Sequence, residues 1–439
     1  MMRNPQRQRR VERSLLFRSV FCWGCLVLGL GSISAEAPPQ SGLRTFAGRW
    51  VTIVTDMPTS PAVSSLPEAI DAAVPQWQRF WKLPDATVEN WRLTLYLMAD
   101  KIKFRSQGLW PPGLEDFPTG FQSGDSAWAV AQPSEYFTRH LVLHEAFHGF
   151  AAHVFRSVGA NWFNEGTAEL MATHRGEAAD IRLPTIPTSR EEVPYWGRFR
   201  IITARRRENR LPSLAAIFDR PDQITKEVEP YAWAWALVVM LTMYPEYRSQ
   251  LLVAPHQPTE SGEQFTRKFL SLLETHIPVM HGRWQLLLSE FDYGYDTTRN
   301  RIQWPADQEQ WSGETLELRI DAASGWQSAG VRVAAGDRLL ITAEGKYTLG
   351  DSPRPWLCEP SGVTVRYHDG HPLGALLVAC VPSRIDNQAM TLPPLQRQVV
   401  GERSELRVDR DSWLLFRIGD HPGELEDNRG FATVRVHSR

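Results

Sequence analysis

Between residues 45 and 99, short runs of apolar and β-branched residues at 50–55 and 93–97 flank a longer stretch, 67–81, whose apolar residues recur with helical spacing. The pattern predicts strand, helix, strand, with a kink expected at Pro75. A turn-rich segment, 108–125, leads to the run Ala-Trp-Ala-Val-Ala at 127–131, a further strand ended by Pro133. Ser134 then has the side chain and position of an N-cap for a long helix reaching about residue 156, and a second helix is expected from near Asn161 to Gly176. From 191 to 290 the spacing is mostly helical, and the apolar stretch 231–244, lying between charged flanks, is too short to span a bilayer and reads as a buried helix. After Gly294 the character changes. Residues 295–312 are polar, contain Pro305 and read as a linker, and alternating runs at 315–320, 337–344, 413–418 and 431–436 predict an all-β sandwich.

A chain of 439 residues exceeds what one hydrophobic core usually organises. The division expected is an α+β domain over 45–294, a linker over 295–312 and a β-sandwich over 313–439. With 42% apolar and 22% charged residues the composition is ordinary for a globular protein. The net charge of -2 marks no nucleic-acid surface. The 17 Trp residues are anchors for cores and domain seams, with sugar stacking as the alternative use.

The first 35 residues read as a secretory signal peptide. Arg3, Arg7, Arg9, Arg10, Arg13 and Arg18 form a basic region, followed by an apolar run over 20–30 and then small residues, with cleavage expected after Ala35 or Ala37. The apolar run falls short of a membrane span, and the Arg9-Arg10 pair fits twin-arginine export poorly, so the protein is expected to be secreted or periplasmic with no stable membrane span. Cys22 and Cys25 lie in the signal core, which leaves Cys358 and Cys380 as an even pair expected to form a disulfide.

The chemistry is concentrated in His144-Glu145-Ala146-Phe147-His148. In a helix the two imidazoles, four residues apart, project from one face and can share a metal ion. Chance supplies such a motif on the order of 0.02 times in a chain with this His content. A catalytic zinc ion needs a third protein ligand and an open position. Downstream, in Trp162-Phe163-Asn164-Glu165-Gly166-Thr167-Ala168-Glu169, the carboxylates of Glu165 and Glu169 share a helical face, and an antiparallel return would bring Glu165 to the same ion. Glu145, offset from the ligands, is then the general base for hydrolysis. Glu169 either holds a ligand imidazole through its second nitrogen or is a solvated helix charge. His140 either lines the cleft or joins a metal, or is a plain surface residue of the helix.

These residues resemble the gluzincin clan of zinc metallopeptidases, whose third ligand sits in a similar Asn-Glu-Gly-x-Ala segment, and among them the peptidase-MA-like branch. The resemblance implies a zincin-like α+β fold, Zn²⁺ held by His144, His148 and Glu165, and a peptide or protein substrate. It also implies that the strand at 127–131 forms the edge of the cleft, where an extended peptide pairs by strand addition. Gluzincins commonly stabilise the oxyanion with Tyr or His, and Tyr231 is the candidate here.

The C-terminal segments around 326–347, 373–376 and 419–430 resemble the small galactose-specific bacterial lectin domain. That family holds Ca²⁺ in an Asp-x-x-x-Thr-x-x-Asn-Asn loop, which maps onto Asp420, Glu424, Asp427 and Asn428 and implies a carbohydrate partner. The leading reading is a secreted zinc peptidase. The alternatives are a catalytically inactive zinc protein and a carbohydrate-binding adhesion protein acting through the β domain.

Overall fold

The computed structural model describes residues 42–439 except 112, 115, 156, 220–226, 306–307, 352–354 and 385–388. The export signal read from residues 1–35, with Cys22 and Cys25, lies outside the described residues. Residues 42–439 form one compact unit.

The N-terminal part is a mixed α/β region. Its strands are β1 (Arg44–Ala47), β2 (Val51–Thr55), β3 (Leu93–Met98), β4 (Gly120–Ser123) and β5 (Ser126–Val130). Its helices are α1 (Pro61–Ser64), α2 (Leu66–Trp81), α3 (Lys101–Ser106), α4 (Glu135–Val154), α5 (Asn161–Ala172), α6 (Arg198–Arg207), α7 (Leu214–Phe218), α8 (Glu229–Met243), α9 (Pro245–Val253), α10 (Gly262–Ser271) and α11 (Ile277–Glu290). The sheet runs in the order β1-β2-β3-β5-β4. β2, β3 and β5 are parallel, and an antiparallel strand closes each edge.

Alternation along the strands sorts residues onto two faces. Ile53, Leu95, Ala127 and Ala129 face the main core, where Trp77 of α2 meets Phe147 and Phe150 of α4 at 5.3 and 5.4 Å between ring centroids. Tyr96, Phe121 and Trp128 join a second cluster with Phe104 and Phe117 on the other face. α4 begins where the sequence predicts: the Ser134 hydroxyl accepts from the Phe137 N–H at 3.1 Å and satisfies a free donor of the first turn. α2 runs through Pro75 as one helix. α8 is apolar on all sides because it is central, and α5 packs so closely on it that a Cβ at Gly166 would lie 2.5 Å from the Ala234 carbonyl.

The C-terminal part is β-rich: β6 (Glu309–Gln310), β7 (Leu316–Asp321), β8 (Gln327–Val333), β9 (Arg338–Glu344), β10 (Tyr347–Leu349), β11 (Trp356–Cys358), β12 (Val363–His368), β13 (His371–Leu373), β14 (Leu376–Pro382), β15 (Gln396–Val399), β16 (Arg403–Arg407), β17 (Ser412–Ile418) and β18 (Arg429–Ser438). One sheet has the order β11-β10-β18-β9-β16 with β7 also on β18, and the other β15-β14-β17-β8-β6. Their inward residues, among them Ile341, Val434, Val378 and Phe416, share one core.

Every residue of β17 is buried, because its second face and that of β14 pack against α11. The seam collects Leu286, Ile302, Trp326, Val381, Trp413 and Leu415. Part of the stretch read as a linker is built into it: the Asn300 amide donates to the Pro422 carbonyl at 2.7 Å, and the Ile302 N–H donates to the Tyr244 hydroxyl at 3.3 Å.

The expected disulfide is not formed: Cys358 and Cys380 are free, buried thiols. Cys358 ends β11 in one sheet, and Cys380 lies in the middle of β14 in the other. Burial pushes the two thiols up to about 11 and about 12, so both stay protonated and unreactive.

Candidate metal centre

α4 and α5 are joined by a short connector that ties to the chain near α10, with the Val158 N–H donating to the Thr259 carbonyl at 3.1 Å and the Ser157 hydroxyl to the Pro255 carbonyl at 2.9 Å. The two helices return antiparallel. Four residues forward on α4, from His144 to His148, correspond to four residues back on α5, from Glu169 to Glu165.

The outcome is a triangle of ligand atoms. His144 Nε2 lies 3.0 Å from His148 Nε2 and 3.2 Å from Glu165 Oε2, and His148 Nε2 lies 3.5 Å from the same oxygen. One ligand atom from each of His144, His148 and Glu165 converges on a single point, an arrangement that could hold a metal ion. A tetrahedral ion with bonds of about 2.0–2.1 Å places its ligand atoms about 3.3 Å apart, which fits the observed edges. The side chains of His148 and Glu165 are 20% and 26% exposed, so the triangle opens to solvent on one side. Burial pushes the Glu165 carboxyl up, but His148 and His144 outweigh it and hold the group down at about 2.

Glu145 points to the edge of the sheet. A Cβ at Gly120 would lie 2.1 Å from Glu145 Oε1, so the general-base candidate occupies the space a side chain on β4 would take. Burial pushes the Glu145 carboxyl up to about 8, with His148 opposing the shift. The edge strand is β4, not the strand at 127–131: β5 is paired on both sides, with β3 and with β4. The sequence reading took Gly108 to Asp125 for turns and so missed the strand. Thr119 accepts from the Val130 N–H at 2.8 Å, and antiparallel alternation then turns the N–H and C=O of Gly120 and Gln122 away from β5.

A second layer supports the triangle. Glu169 is buried and accepts from Arg198 Nη2 at 2.7 Å, Arg198 Nε at 3.1 Å and Trp196 Nε1 at 3.2 Å. His140 Nε2 lies 3.3 Å and His144 Nδ1 3.6 Å from its two oxygens. Burial would raise the Glu169 carboxyl, but Arg198, His140 and His144 together hold it well below the ordinary range. His140, His144 and Glu169 also form a cluster of metal-ligand type. Its carboxylate, however, is already saturated by a guanidinium and an indole, and His140 Nδ1 is bonded to the Ala172 carbonyl at 3.1 Å. Arg198 and Trp196, from a segment read only as helical in pattern, carried no sequence signal.

Tyr231 leads α8 and its ring centroid is 6.3 Å from that of His144. Burial first, then the charges of Glu165, Glu145 and Glu169, push its phenol up, so it remains a donor.

The four residues mapped to a calcium loop are each engaged by neighbouring groups. Glu424 is paired with Arg366 at 2.6 Å. Asp420 accepts from the His421 N–H at 2.7 Å and the Asn428 amide at 3.0 Å, while Asp427 accepts from the Asp351 N–H at 3.0 Å. Asn428 turns its donor toward Asp420, and its own oxygen takes the Gly350 N–H at 3.3 Å. Among the described residues, the groups of three or more His, Cys, Asp and Glu able to hold a metal are the two on α4 and α5.

No family model matches the sequence, and no curated protein matches it. Among solved structures, the N-terminal domain of EclA, titled a PllA-like lectin, is similar at 21% identity over 28% of this chain and 96% of its own, with a TM-score of 0.22. A likeness at that level adds nothing to the reading of the site.

Proposed function

We propose that this protein is a metal-dependent hydrolase, a zinc peptidase, whose ion is held by His144, His148 and Glu165. The observation that carries the reading is the 3.0, 3.2 and 3.5 Å triangle of ligand atoms, open on one side, with Glu145 beside it. Two imidazoles and one carboxylate are a zinc-type donor set, and when bound the ion supplies Lewis acidity and lowers the pKa of water.

The protein's own groups do the rest. Glu145 takes the proton from the attacking water and returns it to the leaving amine. Tyr231, a protonated phenol near His144, donates to the oxygen on which charge develops. Glu169, anchored by Arg198, fixes His144 from behind. The outward N–H and C=O groups of Gly120 and Gln122 suit an extended peptide, which would pair with β4 as an added strand beside Glu145. The basic and apolar run before residue 35 supports action after export.

Cleavage of a fluorogenic peptide library by the zinc-loaded protein, beside Glu145→Gln, tests the reading. Turnover by the unsubstituted protein that falls at least about 10²-fold in the variant supports it. Equal turnover in both, or none in either with the metal in place, refutes it.

A further inference from the structure

On the face of the N-terminal sheet turned away from α4, aromatic side chains form a row across the strands. Register pairs Tyr96 of β3 with Trp128 of β5, and Trp128 with Phe121 of β4. Ring centroids are 5.5 Å apart between Tyr96 and Trp128 and 6.1 Å apart between Trp128 and Phe121. Trp128 is buried, whereas Phe121, on the last strand of the sheet, is partly exposed. The row therefore stops at an edge with apolar surface still open. The opposite face shows the reverse gradient. Leu97, Ala129 and Gly120 stand in register and shrink toward the same edge, and Glu145 takes the room that Gly120 leaves.

The main chain decides what meets Phe121. Because the Val130 N–H donates to the Thr119 carbonyl, alternation turns the polar groups of Phe121 inward to β5 and those of Gly120 and Gln122 outward. A peptide running antiparallel to β4 bonds to Gly120 and Gln122 and faces Phe121 in a non-hydrogen-bonded pair. In such pairs the Cα atoms approach to about 4.5 Å and the side chains are at their closest. The peptide residue there continues the row from Tyr96 through Trp128 and Phe121. Its neighbour in the peptide lies across from Gly120, beside Glu145.

We propose that Phe121 is a specificity-determining residue, selecting substrates with an aromatic or large aliphatic side chain next to the residue that faces Glu145. The selection rests on the docking of a peptide along β4 proposed for this protein. Cross-strand aromatic and aliphatic partners are stabilising, while a charged side chain set against the ring loses water with no partner to replace it.

Binding measured without turnover tests it. Zinc-loaded Glu145→Gln protein is titrated calorimetrically with end-blocked alanine hexapeptides carrying one central Phe, Leu, Ala or Asp. The Phe and Leu peptides are expected to bind about tenfold or more tighter than the Ala peptide, and the Asp peptide no tighter than Ala. Adding Phe121→Ala erases the difference. Gln122→Pro, which removes an outward N–H on an edge strand, weakens all the peptides alike. The comparison among peptides involves no change at Phe121, so it decides the matter even if Phe121→Ala fails to fold. No heat with any peptide up to about 5 mM, equal affinity for the Phe and Ala peptides, or a preference that survives Phe121→Ala overturns the proposal. The expected preference, with no cleavage of the Phe peptide by the unsubstituted protein, supports selection by Phe121 and counts against the hydrolase reading alone.

Discussion

At Gly120 the missing side chain is what gives Glu145 its place, since an added Cβ would sit 2.1 Å from its carboxylate oxygen and 2.8 Å from its Cγ. The obstructing atoms are the end of a flexible side chain, so Gly120→Ala is expected to fold and keep its metal while Glu145 is displaced. Activity should fall by about 10-fold or more with a melting temperature within a few degrees of the unsubstituted protein, read by turnover and calorimetry side by side. A second prediction concerns His174. Arg139 Nε donates to its Nε2 at 2.9 Å, its Nδ1 donates to the Ala172 carbonyl at 2.8 Å, and Tyr136 stacks on the ring, so the imidazole is buried neutral. Burial pushes it down to about 3, with Arg139 and His140 adding to the shift. The folded value lies below the unfolded one of about 6.5, so its contribution is complete above that pH and lost as pH falls toward the folded value. Between pH 7 and pH 5 the loss is about 2 kcal/mol. Urea unfolding at the two pH values should show that drop, and it should shrink by about the same amount in His174→Gln.

Among the elements, α4 and the approach of its two histidines to the carboxylates of α5 were the most legible from sequence. The Ser134 cap, the spacing of the two imidazoles and the spacing of Glu165 and Glu169 each state a local rule, and local rules survive folding. What could not be read was non-local. The strand β4 hides in a stretch of Gly and Ser because its identity comes from pairing with β5 and from the space Glu145 takes. In the loop mapped to calcium, the oxygens of Glu424, Asp420 and Asp427 are met by Arg366, Asn428 and a main-chain N–H, contacts that composition does not reveal. Arg198 is the anchor that no spacing rule predicts. Replacing it by Met leaves Glu169 buried without its charge partner, and the expected outcome is a metal affinity about 10- to 100-fold weaker by competition with a chelator. An unchanged affinity would mean that the layer behind His144 plays no part in holding it.

Across the whole molecule, the stretch read as a linker carries residues packed into the seam between the two regions. Polar composition and Pro305 read as a linker, and Asn300, Ile302 and Trp304 of that stretch pack between α11 and the β14–β17 face. Glu290 at the end of α11 pairs with Arg417 of β17 and also accepts from Trp326 Nε1 at 2.9 Å. Both charged groups are buried, and removing one leaves the other uncompensated, so Arg417→Met should cost about 3–5 kcal/mol. With a continuous seam the unsubstituted chain is expected to unfold in one calorimetric transition, and Arg417→Met in two or at a markedly lower temperature. Two separate transitions in the unsubstituted protein would show the regions to be energetically independent.

The central claim is that one ion sits between α4 and α5 at His144, His148 and Glu165 rather than at the neighbouring His140, His144 and Glu169. Metal content per chain after zinc loading and dialysis, compared for the unsubstituted protein, His148→Ala and His140→Phe, separates the two. The account predicts one zinc ion per chain in the unsubstituted protein and in His140→Phe, and its loss in His148→Ala. Zinc retained in His148→Ala and lost in His140→Phe would contradict it.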